Sequence, residues 1–149
     1  MTFSKPYKDE STLSYLNRMG RLGYRMPTVA MIKNDEQIGG CREAGKRNRE
    51  LLDIIESEVR VGMSTLDIDD IVMRYTRSIG AVPACLNYRG FPKSVCTSLN
   101  DVVCHGIPSA TQIISDGDIL NVDCTIIYDG YFADASRMLC FGNLRSEAT

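Results

Sequence analysis

The chain predicts an α+β domain in which helices come first and an antiparallel sheet second. Three observations carry this: two consecutive stretches with apolar residues three and four apart, a set of β-rich runs downstream, and an Asp129-Gly130 pair between two of those runs, the signature of a two-residue hairpin. With 149 residues the chain fits one domain that has enough material to bury a core. Apolar residues make up 44% and charged residues 24%, an ordinary balance for a folded domain, and a net charge of -2 makes no global case for nucleic acid or an acidic membrane.

Residues 1–33 read as a basic extension, with Lys5, Lys8, Arg18, Arg21, Arg25 and Lys33 against Asp9 and Glu10. Two readings stay open for it: a solvated strap lying on its own domain, or an arm that touches RNA or a ribosome. Residues 34–149 form the domain proper. From Asn34 onward Ile38, Cys41, Gly45, Asn48, Leu52, Ile55 and Val59, flanked by Ala44 and Leu51, draw one stripe along a long helix that ends near Val61-Gly62. Ser64-Thr-Leu-Asp67 supplies a cap for a second helix, whose stripe of Ile68, Ile71, Val72, Tyr75 and Ile79 stops at Gly80. Strand-like runs follow at residues 84–86, 94–99, 102–104, 119–128 and 131–141. No internal repeat or low-complexity segment interrupts them. No apolar run is long enough to span a bilayer, and the first thirty residues lack the apolar centre of a secretory signal, so a cytoplasmic location is the expectation.

The hairpin can be worked out from its letters. If Tyr128 faces Tyr131 across the turn, Thr125 pairs with Asp134 and Asp123 with Ser136, so Asp123 and Asp134 become diagonal neighbours on one face. The other face of the first strand carries Leu120, Val122, Cys124, Ile126 and Tyr128, an apolar alternation that sets the register. Two adjacent carboxylates repel unless something positive lies between them, and hard oxygen donors suit Mg, Mn or Ca, or Zn, Fe or Co once an imidazole joins them. From these residues alone two readings stay open, a metal site and an exposed acidic sheet face.

His105 is the sole histidine and lies in a Gly and Pro turn just before the hairpin. It is either structural or placed to lean over the carboxylate face for hydrogen bonding or general acid/base work. The six cysteines are dispersed with no C-x-x-C pair, which reads as reduced thiols and speaks against a zinc knuckle or a thioredoxin-like site; Cys85 or Cys104 is expected to line a pocket.

Three segments carry a resemblance: Cys85-Leu-Asn-Tyr-Arg-Gly-Phe-Pro-Lys-Ser-Val-Cys96, Asn100-Asp-Val-Val-Cys-His-Gly-Ile-Pro108 and the run from Gly117 through Asp123 and Asp134 to Arg137. In this order and spacing, over roughly residues 36 to 144, the chain resembles a type I methionine aminopeptidase. The resemblance implies the pita-bread fold, here its amino-terminal half, and a centre of two divalent ions (Co, Mn, Fe or Zn) held by two Asp, one His and two Glu. It makes Asp123 and Asp134 metal ligands, His105 the catalytic histidine that hydrogen-bonds the substrate backbone, and Thr125 the support of the metal-bound water. Cys85, Tyr88 and Phe91 match part of the pocket for a methionine side chain.

The implied reaction is removal of the N-terminal Met from nascent polypeptides with a small second residue, with ribosome association as a further implication. The chain departs from the family pattern in one respect: the remaining His and two Glu follow the hairpin in the family, and this chain ends at Thr149. The expectation is therefore a fragment that binds metal weakly and is inactive alone. The alternative is a non-enzymatic pita-bread module that binds nascent chains, the ribosome or another protein.

Overall fold

The computed structural model describes residues 32–143. Residues 1–31, which include nearly all of the basic extension, lie outside the described part. The chain divides into two units, Met1–Glu36 and Gln37–Thr149, and the fold below is that of the second.

The first helix, α1 (Asp35–Glu58), buries Ala44, Asn48, Leu51, Leu52 and Ile55. The stripe is centred on Ala44 and Leu51, so Gly45 faces solvent. The helix stops three residues before the expected Val61, where the Arg60 guanidinium donates to the Val59 carbonyl at 2.7 Å and satisfies a terminal acceptor. Gly62, at φ +93°, turns the chain. The second helix, α2 (Thr65–Ser78), opens with the expected capping box: Ser64 and Asp67 each bond the other's backbone amide. Ile68, Ile71 and Val72 face the core.

The sheet has four strands, β1 (Val82–Pro83), β2 (Cys96–Leu99), β3 (Ile119–Tyr128) and β4 (Tyr131–Cys140), all pairing antiparallel. The hairpin register is the one the turn implies, with Tyr128 opposite Tyr131, Thr125 opposite Asp134 and Asp123 opposite Ser136. Leu120, Val122, Cys124 and Ile126 are fully buried against Leu51, Ile55, Ile68 and Val72. A one-residue slip would place the aspartates in that core, so the burial of four apolar residues enforces the register. Because β4 occupies one edge of β3 along its whole length, β1 and β2 share the opposite edge end to end. β1 faces Ile126 and Ile127, and β2 faces residues 120–123.

Two expected strands are absent. Residues 84–86 bend away from β3 after Ala84 donates its last edge bond to the Thr125 carbonyl at 2.8 Å, and Asn87 takes a left-handed conformation (φ +64°) that ends extension. Residues 102–104 do not pair, despite two β-branched residues. A tight turn at Asn100-Asp101 bonds the Val102 amide to the Leu99 carbonyl and swings the segment outward, leaving Val103 94% exposed. The free edge of β2 is taken instead by the segment after it, through the Thr97 amide and the Gly106 carbonyl at 2.8 Å.

Candidate metal centre

One face of β3 is packed on the helices, so its alternate residues Asp123 and Thr125 must point the other way, into a cavity of about 800 Å³. Asp134 reaches the same cavity from β4, and His105 reaches it from the turn beside β2. The two carboxyl groups lie close enough for the charge of Asp134 to oppose ionisation of Asp123. Burial holds the Asp123 carboxyl above the ordinary aspartate value, the neighbouring Asp134 carboxylate raises it further, and His105 opposes both. Thr125 Oγ1 donates to Asp134 Oδ1 at 2.8 Å and so steadies the exposed member of the pair.

His105 is positioned by strain and close contact. It sits at φ +55°, a conformation disfavoured for a residue with a Cβ, and is followed by Gly106, whose missing Cβ would lie 2.0 Å from the Thr97 carbonyl oxygen. Only glycine lets the backbone dock on β2 there, and that docking carries the imidazole to the cavity mouth.

The loop between β1 and β2 forms the apolar wall, with Cys85, Tyr88, Phe91 and Pro92 lining the cavity and Ile107 and Phe132 at its rim. Its return strand is anchored by Asp69 of α2, which accepts from the Ser94 amide at 2.7 Å and the Ser94 hydroxyl at 2.5 Å and pairs with Lys93 at 3.3 Å. Cys85 was one of two cysteines expected at a pocket, and it lines this one. Cys104 is exposed and does not. Cys96 was not singled out, yet it faces the cavity from the start of β2, opposite Asp123. Burial pushes its thiol up to about 12.

Asn48 was read from the sequence as one more member of the helix stripe. Fully buried in α1, it donates from Nδ2 to the Cys124 carbonyl at 2.9 Å and to the Ala133 carbonyl at 3.4 Å, binding both arms of the hairpin beside the aspartates. An asparagine amid apolar helix residues was the only signal in the sequence.

Two carboxylates drawn together against their own repulsion, with hard oxygen donors and an imidazole nearby, fit a divalent cation in part. Among the described residues no group of three or more His, Cys, Asp or Glu is placed to hold a metal. Also among the described residues, no helix is long and apolar enough to cross a membrane.

Residues 39–149 match the family model described as Metallopeptidase family M24. A methionine aminopeptidase of Haemophilus influenzae is 45% identical over 120 residues, 78% of this chain and 45% of that protein. The crystal structure of methionine aminopeptidase from Rickettsia prowazekii superposes with a TM-score of 0.76 at 42% identity, covering 78% of this chain and 47% of that one. The X-Pro aminopeptidase of Thermotoga maritima MSB8 shares the fold alone, with a TM-score of 0.68 at 18% identity over 93% of this chain and 39% of that one. The chain thus spans less than half the length of the curated relatives it matches. Its two helices on an antiparallel sheet are the amino-terminal half of the pita-bread architecture of these neighbours. By the match over residues 39–149 the chain belongs to metallopeptidase family M24, and its similarity within that family is to methionine aminopeptidases.

Proposed function

We propose that this chain carries part of the centre of a metal-dependent methionine aminopeptidase, which removes the N-terminal Met from nascent polypeptides with a small second residue. The observation that carries the reading is the convergence of Asp123 and Asp134 on one cavity face beside His105, next to an apolar wall. Asp123 and Asp134 would hold the divalent ions, of which Co, Mn, Fe and Zn all suit the family's mixed oxygen and imidazole donors. Bound there, such ions lower the pKa of water and polarise a scissile carbonyl.

The chain's own side chains do the rest. Thr125 keeps Asp134 oriented through its hydroxyl and stands beside the attacking water. His105, at the cavity mouth, donates to the substrate backbone. Cys85, Tyr88 and Phe91 offer the soft and aromatic contacts a thioether favours. A cytoplasmic location and contact with the ribosome belong to the same reading, because its substrates are chains just made.

Two carboxylates without further ligands hold a divalent ion weakly, so the chain by itself is expected to show no turnover. The test is cleavage of Met-Gly-Met by the chain in Co or Mn, alone and mixed with the portion of the Haemophilus influenzae relative that it does not match. Turnover in the mixture that disappears with Asp134→Ala supports the reading. Turnover that survives Asp134→Ala, or none in the mixture, sinks it.

A further inference from the structure

The end-to-end arrangement of β1 and β2 on one edge of β3 brings together two cysteines that the sequence keeps eleven positions apart. β1 descends along β3 with Pro83 opposite Ile126, and Ala84 bonds Thr125, so the chain leaves the edge at the level of Cys124 with Cys85. It returns at Cys96, opposite Asp123. Residues 86–95 are therefore a loop whose neck is closed by Cys85 on one side and Cys96 on the other, the geometry of an Ω-loop. Both cysteines line the cavity. Cys85 is half-buried and Cys96 buried, so Cys85 is the more open of the two to small solutes from the cavity.

We propose that Cys85 and Cys96 form a dithiol modification site, oxidised by a peroxide to a disulfide that cinches the neck of the 86–95 loop and narrows the cavity. In the first step the more accessible Cys85 sulfur attacks the peroxide oxygen, forming a sulfenic acid (S–OH) and releasing one water. In the second, the Cys96 sulfur displaces the hydroxyl from the Cys85 sulfur; the S–S bond forms, and the Cys96 proton leaves with that hydroxyl as a second water. One peroxide is reduced to two waters and two thiols are oxidised to one disulfide. A dithiol reductant reverses the change. Only the consequence, closing a methionine pocket, rests on the proposed function; the chemistry does not.

The test treats the reduced chain with hydrogen peroxide, caps the remaining thiols and maps peptides without reduction. A peptide linking Cys85 to Cys96 is expected to exceed every other cysteine pairing, to vanish on dithiothreitol treatment and to accompany a raised thermal midpoint. In Cys96→Ser, Cys85 has no resolving partner and is expected to advance to sulfinic acid under the same dose. In Cys104→Ser and Cys140→Ser the linked peptide is expected unchanged. A dominant Cys96–Cys104 link, or equal over-oxidation of Cys85 in the wild-type chain and Cys96→Ser, overturns the proposal. The readout needs no peptidase activity, so a linked peptide in a chain that gives no turnover even when mixed with the Haemophilus influenzae portion would count against the proposed function alone.

Discussion

The Asn48 side-chain amide, buried in α1, donates to the backbone carbonyl of Cys124 at 2.9 Å, between the two residues of β3 that face the cavity. The same nitrogen reaches the Ala133 carbonyl on β4, one residue before Asp134. Asn48 thus couples the helix layer to the backbone on which the carboxylates are mounted. Among the described residues its Oδ1 has no partner, so there the side chain is held by donation alone. Asn48→Ala removes both bonds to the hairpin carbonyls and is expected to cost about 1 kcal/mol in urea denaturation. Asn48→Asp replaces the donor by an acceptor facing carbonyls and is expected to cost more; equal losses would show that the hydrogen bonds contribute little.

Gly106→Ala places a methyl group 2.0 Å from the Thr97 carbonyl oxygen, a backbone atom that cannot move aside without breaking β2. A loss of about 2–3 kcal/mol is expected, since the segment must undock. Hydrogen exchange at the Thr97 amide reports this directly, because its partner is the Gly106 carbonyl. Unchanged protection of that amide would contradict the docking role.

The raised Asp123 carboxyl makes a signed prediction. A carboxyl whose folded pKa lies above its unfolded value binds its proton more tightly when folded. Its contribution to stability is therefore full below the ordinary value of 3.8 and is lost as pH rises through the folded value. With chelator present, Asp123→Asn is expected to be more stable than the parent at neutral pH, and the difference to vanish toward pH 3.8 and below. Added Mn²⁺ should reverse the order at neutral pH by stabilising the parent and not the variant. Thermal melts at several pH values, with and without metal, check both signs.

Thr125→Val removes the 2.8 Å bond to Asp134 while preserving shape. The pair is exposed, so stability should change by less than about 1 kcal/mol, whereas weaker orientation of the carboxylate is expected to lower Mn²⁺ affinity about five-fold. Isothermal titration separates the two effects; unchanged affinity would remove Thr125 from the site.

Asp69 holds the return of the 86–95 loop through Ser94 and Lys93. Asp69→Ala leaves the buried Ser94 amide without its acceptor and the hydroxyl with only the backbone carbonyl of position 69 at 3.3 Å, a loss of about 1–3 kcal/mol. Limited trypsin digestion should then cut after the exposed Arg89 sooner than in the parent. Equal cutting rates would place the loop's anchor elsewhere.

Local periodicity determined much of this fold. The capping box at Ser64, the two helix stripes and the hairpin register all follow from neighbours a few residues apart, and the four buried residues of β3 leave Asp123 and Thr125 only one side to face. The segment at residues 102–104 read as a strand for the same local reason, and failed because the edge it would have joined is bonded to Gly106. Tertiary structure alone decided which distant residues share a cavity. It seated Asn48 under the hairpin and set His105 at the cavity mouth through the docking of Gly106 on β2. The absence of a C-x-x-C pair spoke against a zinc knuckle or a thioredoxin-like site and said nothing of distant cysteines, whereas the sharing of one edge of β3 by β1 and β2 brings Cys85 and Cys96 to one cavity. Edge sharing is a contest among segments far apart in the chain, settled by which pairing buries the most apolar surface and satisfies the most backbone groups. No short window of residues records its outcome.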